Sequence, residues 1–213
     1  MTDDNCFTDE QDTWTNTHPD DLWVFDKLIL SKKLKYICGP VGTDVPEAGW
    51  YMVRPCVNAI GLGLGAQKVW IEDTTDYLPP GHFWCEWFEG RHMSVDYHYG
   101  LPKLTVEGFK QPDTFTRWDK WIKADDDKAI EKHIHFPDIL DNFIDLPWVN
   151  CEFVRGHLIE VHFRKNPDFQ WNNKEFIPVW EEPSLTEHLK KQEAGYRYVD
   201  YPDVHGRIGG FIK

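Results

Sequence analysis

Between Asp20 and Leu34 the apolar residues Leu22, Phe25, Leu28 and Ile29 recur at helical spacing behind Asp20 or Asp21 as a cap, which predicts one amphipathic helix. Gly39, Pro40, Gly42 and Pro46 then predict an irregular connection. From Trp50 the period falls to two. WYMVRP, AQKVWIE, HFWCEWF and HMSVDYHY, each bounded by Gly, Pro or Asp, read as strands of an antiparallel sheet. Between the first two, NAIGLGLGA alternates Gly61, Gly63 and Gly65 with Ile60, Leu62 and Leu64, forming a flexible Gly-rich hairpin loop. Further on, KLTVEGF predicts a strand, RWDKWIKADDD a helix, and PDILDNFI a short helix with Pro137 at its first position. VNCEFV, the Arg155-Gly156 turn and HLIEVHF form the clearest hairpin, and alternation puts Glu160 and His162 on one face. Ser184 and Glu187 have capping-box spacing before a last short helix and a Tyr- and Gly-bearing tail.

The polar, aperiodic residues 1–17 are expected to form a flexible acidic arm, residues 18–182 the folded domain, and 183–213 a helix and tail packed on it. Charge narrows the partners. With 23 Lys and Arg against 36 Asp and Glu, a net charge of −13 repels nucleic acid and anionic membrane surfaces outside a locally basic site. The N-terminus lacks the apolar core of a secretory signal, and no run of about 18 apolar residues is present to span a bilayer, so a soluble, cytoplasmic protein is expected. Cys6, Cys38, Cys56, Cys85 and Cys151 are scattered without a CxxC pair, as in a reduced intracellular protein.

Three segments carry candidate chemistry. Arg54 precedes the Gly-rich loop, where glycines let backbone N–H groups approach phosphate and a guanidinium can hold it bidentately. No GK[ST] follows and no helix begins there, so the loop is neither a Walker A motif nor a dinucleotide fingerprint; an ordinary hairpin with a surface Arg is the plain alternative. A substitution such as Gly63→Val is expected to damage binding and spare the empty protein. Glu152 and Glu160, on facing strands with His162, would repel unless a cation lies between them, and hard oxygen ligands suit Mg²⁺ shared with phosphates; the alternative is a solvated hairpin face. Glu86 and Glu89 beside Gly90 could accept ribose hydroxyls at the end of an apolar strand, or simply sit at its rim. His133 and His135, and His92 and His98, invite a zinc reading, but no HExxH is present and no cysteine lies near either pair.

Taken in this order, the three segments resemble the ATP-grasp superfamily of carboxylate ligases over roughly residues 22–170. YMVRP with GLGLGA is similar to the family's basic strand and lid hairpin, FWCEWFEG to its hinge strand, and VNCEFVRGHLIEVHFR to its metal-binding strands ending in E-x-N-x-R. His162 stands where Asn is usual. The resemblance implies an α+β fold with antiparallel sheets and a Gly-rich lid, with a reduced N-terminal substrate domain. It implies ATP and Mg²⁺ as cofactors. Arg54 with Lys27 or Lys68 would hold phosphate, Gly61, Gly63 and Gly65 would cover it, and Glu86 and Glu89 would line the nucleoside site. Glu152, Glu160 and His162, with Asn166 or Asp168 supplying a further oxygen, would hold the metal, and Arg164 would neutralise the transferred phosphoryl group. The implied reaction activates a small carboxylate as an acyl phosphate for attack by an amine or thiol. Substrate recognition would then fall to a reduced surface, the C-terminal segment, a protein partner or a second copy in a homodimer. A non-catalytic binding or structural protein with the same fold is the alternative, and the start DKLILSKKLKYICGP also looks like small proteins of bacterial viruses, which would place it in the host cytoplasm.

Overall fold

The computed structural model describes residues 10–57, 63–110, 114–115, 117–124, 135–202 and 206–213. Helix α1 (Glu10–Asn16) lies within the expected arm, with Thr13 buried and Trp14 stacked on Phe25 at 5.8 Å. The single helix predicted after it is split. A 3-10 helix spans Pro19–Phe25, capped by His18, whose Nδ1 accepts from Asp20 N–H, in place of Asp20 or Asp21. Asp26 then turns extended and accepts from Ile29 N–H at 2.9 Å, which starts α2 (Lys27–Lys33) afresh.

A four-stranded sheet has the order β1-β4-β2-β3, built from β1 (Cys38–Pro40), β2 (Gly49–Pro55), β3 (Gln67–Ile71) and β4 (His82–Glu86). An eight-stranded sheet follows from β5 (His92–His98), β6 (Leu101–Phe109), β7 (Lys120–Lys123), β8 (Val149–Val154), β9 (His157–His162), β10 (Glu175–Val179), β11 (Arg197–Asp200) and β12 (Gly209–Ile212), in the order β11-β12-β10-β7-β6-β5-β8-β9. Every pairing is antiparallel.

Two expectations change here. KWIK, within the predicted helix RWDKWIKADDD, is β7, because Trp121 is needed in the sheet's aromatic core; residues 125–134 lie outside the described residues. PDILDNFI is a 3-10 helix (Asp138–Phe143) with Pro137 as the residue before it. The C-terminal tail supplies β11 and β12, while Ser184 caps α3 (Leu185–Glu193) as expected.

The large sheet has two unlike faces. Val95 and Tyr97 of β5, Val149 and Cys151 of β8, and Leu158 and Val161 of β9 pack against Val24, Phe25, Leu30, Leu140 and Phe143. Leu158 and Val161 are three residues apart yet both face this core, because a register shift makes Ile159 a bulge: Glu152 opposes Glu160 and Phe153 opposes Leu158. The opposite face carries His92, Ser94, Asp96, Asn150, Glu152, Glu160 and His162 at its β5-β8-β9 end, as alternation requires. Further along, the same face becomes aromatic, with Val106, Trp118, Trp121, Phe176 and Ile212. A Cβ at Gly108 would lie 2.6 and 2.7 Å from the Trp118 and Trp121 rings, so only glycine lets them close over the strand.

The small sheet buries Tyr51, Val53, Ile71 and Trp84 with Val45 on one side. Its other side presents Trp50, Met52 and Arg54 of β2 beside Lys68 and Trp70 of β3. No described helix is long and apolar enough to cross a membrane.

Candidate functional site

Glu152 and Glu160 are direct cross-strand partners, so their carboxylates share a face. Each has its own counter-charge. Lys27, the first residue of α2, is held in place by its backbone N–H to Cys56 C=O at 2.8 Å, and its Nζ lies 2.9 Å from Glu160 Oε1 with almost no solvent contact. His162 Nε2 is 3.6 Å from the same oxygen. Glu152 Oε2 accepts from His92 Nε2 at 2.9 Å. Burial alone would raise the Glu152 carboxyl, but the hydrogen bond and attraction of His92, with His162 and Arg164 behind it, hold it well below the usual carboxylate range.

Arg54 joins the two sheets. Its Nη2 donates to Ile159 C=O at 3.0 Å, the bulge carbonyl next to Glu160, and its guanidinium lies over Phe83 at 5.4 Å. Arg54 Nε is buried and finds no hydrogen-bond partner among the described residues. Lys68 shares this side of the small sheet, with Nζ 5.2 Å from the Trp50 ring and 4.5 Å from Trp87. Gly61 lies outside the described residues. Gly63 has φ +61 and a Cβ there would meet Phe115 C=O at 2.5 Å, while at Gly65, φ +76, it would meet His82 and Pro55 at 3.2 Å. Gly63 is thus required by the empty protein, contrary to the expectation that replacing it leaves that state untouched.

The remaining expected members have surroundings of their own. Glu86 Oε1 accepts from Ile37 N–H at 2.9 Å, securing the entry to β1, and Glu89 is exposed on the connection to β5. The Asn166 side-chain oxygen accepts from Asp168 N–H at 3.0 Å, capping a 3-10 turn (Pro167–Phe169), and Asp168 pairs with Arg207 at 2.8 Å. Arg164 Nη1 donates to Lys165 C=O at 3.1 Å, and its charge acts on both Glu152 and Asp96. His98 rests on Tyr99 and Trp148, far from the role of His92 on the same strand, and His133 lies outside the described residues. Among the described residues no group of three or more His, Cys, Asp or Glu side chains is arranged to hold a metal.

Sequence reasoning weighed His92 only with His98 as a zinc pair and gave no site role to Ser94, Asp96 or Asn150. Asn150 Nδ2 donates to Ser94 Oγ and to Asp96 Oδ1, both at 2.8 Å, in a buried network beside the acidic pair. The signal was available: in HMSVDYHY the polar positions His92, Ser94 and Asp96 alternate with apolar ones in the same phase as Asn150 and Glu152.

No protein-family model and no curated protein matches the sequence. Solved structures do match it. A putative ATP-grasp superfamily protein from Archaeoglobus fulgidus superposes with a TM-score of 0.50 at 15% identity, over 89% of this chain and 64% of that one. An L-amino acid ligase from Bacillus licheniformis gives 0.53 at 10% identity, over 91% of this chain and 67% of its own. N5-carboxyaminoimidazole synthetase from Staphylococcus aureus, complexed with ADP, gives 0.56 at 12% identity, over 89% of this chain and 67% of its own. At these identities the likeness is one of fold, and this chain spans about two thirds of their lengths.

Proposed function

We propose that this chain, which has the ATP-grasp fold, binds ATP between its two sheets and uses it in a ligase-type reaction on a small carboxylate. The observation that carries the reading is the convergence of three cations from three separate elements, Arg54, Lys27 and Arg164, around the opposed carboxylates of β8 and β9. Arg54 has a buried donor left over at Nε, and a triphosphate oxygen is a fitting acceptor. Gly63 and Gly65 lie on the connection from β2 to β3, whose backbone would cover the phosphates, and Lys68 of β3 would add charge there. Glu86 and Glu89 are the candidates for the nucleoside end.

Glu152 and Glu160 fit Mg²⁺ only as part of a shared site, since two carboxylates plus substrate phosphates are a usual set for this ion and nothing here forms a cage alone. Bound there, Mg²⁺ would supply charge neutralisation at the β- and γ-phosphates. His162 contributes a nitrogen, and its part is to orient Glu160. Lys27 would pass from Glu160 to a phosphate oxygen, and Arg164 would meet charge on the transferred group. In the acyl-phosphate route a carboxylate oxygen attacks the γ-phosphorus and ADP leaves; an amine or thiol then displaces phosphate. A partner protein or a second copy would complete substrate recognition.

The deciding experiment supplies ATP with pools of amino acids and small dicarboxylates and identifies the nucleotide product by chromatography. ADP with phosphate is expected, whereas AMP with pyrophosphate would refute the acyl-phosphate route. A second reading, a nucleotide-binding protein without turnover, is favoured by the Lys27–Glu160 pair and by His162. Binding without consumption of ATP in any pool would select it.

A further inference from the structure

We infer that Asp96 is a positioning residue that, through the backbone of Asn166, sets where the segment after β9 presents Arg164. The inference rests on the proposed ATP site, to which Arg164 belongs. Asp96 is 3% exposed, in the middle of the polar face of the large sheet, opposite Asn150. Its Oδ1 accepts from Asn166 N–H at 2.9 Å and from Asn150 Nδ2 at 2.8 Å. Ser94 Oγ closes the network, accepting from Asn150 Nδ2 at 2.8 Å and Asn166 Nδ2 at 3.4 Å. Two rigid strands thereby grip one backbone amide of an irregular segment.

A carboxylate is an expensive way to accept two hydrogen bonds in a buried sheet, where an amide or hydroxyl would serve. What a carboxylate adds is charge, and the cations facing it are Arg164 and Lys165 of the gripped segment, with the neutral Asn150 bonded to it, Ser94 beside it, and His92 and Glu152 further along the same face of β5 and β8. Lys165 is drawn aside, its Nζ 4.2 Å over the Trp148 ring. Arg164 acts on both Asp96 and Glu152. Asp96 therefore fixes the segment at residue 166 by a hydrogen bond and biases residue 164 by attraction. A guanidinium held this way is placed before any phosphate arrives.

If Arg164 meets the terminal phosphate, its position is read by the preference for ATP over ADP. Calorimetric affinities for both nucleotides are compared, in Mg²⁺, for the parent protein, Arg164→Ala, Asp96→Ala, Asp96→Asn and the Asp96→Ala/Arg164→Ala double variant. The parent is expected to prefer ATP, and Arg164→Ala to lose roughly tenfold or more of that preference. Asp96→Ala should lose a comparable factor while still melting cooperatively, Asp96→Asn should fall between Asp96→Ala and the parent because it keeps the acceptor oxygen and loses the charge, and the double variant should be no worse than Arg164→Ala. A folded Asp96→Ala that keeps the parent's preference overturns the inference, as does an equal loss for ATP and ADP, which is what mere structural damage gives. Should Asp96→Ala not fold, Asn166→Pro removes the gripped N–H at a φ of −65 that proline accepts; an undiminished preference there also overturns it. A parent that binds neither nucleotide refutes the ATP reading itself, and the inference with it.

Discussion

At the scale of residues, the site is a balance of buried charges, and two of them make opposite demands on pH. Asp96 is pushed up from 3.8 to about 6 by burial, against the pull of the Asn150 and Asn166 hydrogen bonds and the Arg164 and Lys165 charges. A carboxyl raised on folding favours the fold while protonated, below its unfolded pKa, and that contribution is lost as pH rises through the folded value. Asp96→Asn should therefore gain on the parent between pH 4 and pH 7.5, by up to about 3 kcal/mol, in urea unfolding at both pH values. A pH-independent difference would show that Asp96 titrates alike in the folded and unfolded chain. Glu152 has the reverse sign: depressed chiefly by His92, its contribution is present above the ordinary carboxylate pKa and fades as pH falls. Glu160→Gln tests a third charge. It leaves the buried Lys27 ammonium unpaired and should cost about 3 kcal/mol in the same assay, and a cost below about 1 kcal/mol would mean that His162 and solvent suffice. The acidic pair was legible in the sequence because both carboxylates lie in one hairpin with strict alternation. Their partners were not, because Lys27 and His92 arrive from α2 and β5, and nothing local in the chain announces a contact so remote in sequence.

At the scale of elements, periodicity identified the strands that form the site, and it failed where tertiary contacts overrode local pattern. KWIK reads as part of a helix by charge spacing, yet β7 is pinned between β6 and β10, with Trp121 opposite Gly108 and Phe176. The helix after Pro19 was visible, but its break at Asp26 was not, because the apolar spacing runs on through Asp26 and Asp20 or Asp21 already offered a cap. Two turns yield predictions. The β8-β9 turn has φ 51 at Arg155 and 81 at Gly156, the two positive values of a type I′ hairpin, and Arg is a poor occupant of the first. Arg155→Asn should raise stability by about 0.5–1 kcal/mol, measured by denaturant midpoint; no gain would indicate that the Arg155 side chain, packed against Gly90, offsets its strain. Gly63→Ala combines a positive φ with a contact of 2.5 Å to Phe115 C=O. It should lower the stability of the nucleotide-free protein by about 1–3 kcal/mol, and an unchanged melting temperature would place the hairpin away from Phe115.

At the scale of the whole molecule, what the sequence disclosed was an order of segments, basic strand, Gly-rich hairpin, hinge strand and acidic hairpin, and the folded chain puts the first and last of these in contact through Arg54 and Ile159. That contact crosses from the small sheet to the large one, so a ligand that bridges the sheets should stabilise both together. At 100 times its dissociation constant, ATP would add about 2.7 kcal/mol, which for a domain of this size is a melting shift of roughly 5–10 °C. The dependence on metal follows from the charges. In the proposed site the phosphates would draw Lys27 from Glu160, and the opposed carboxylates would then repel both each other and the triphosphate unless a divalent cation took its place. The shift should thus be large with Mg²⁺-ATP, much smaller with ATP in EDTA, and lost in Arg54→Ala with Mg²⁺-ATP. Equal shifts in EDTA and Mg²⁺ would remove the metal from Glu152 and Glu160 and leave Lys27 as the cation there. A full shift in Arg54→Ala would mean that ATP does not span the two sheets, and the reading of the fold as an ATP site would have to be given up.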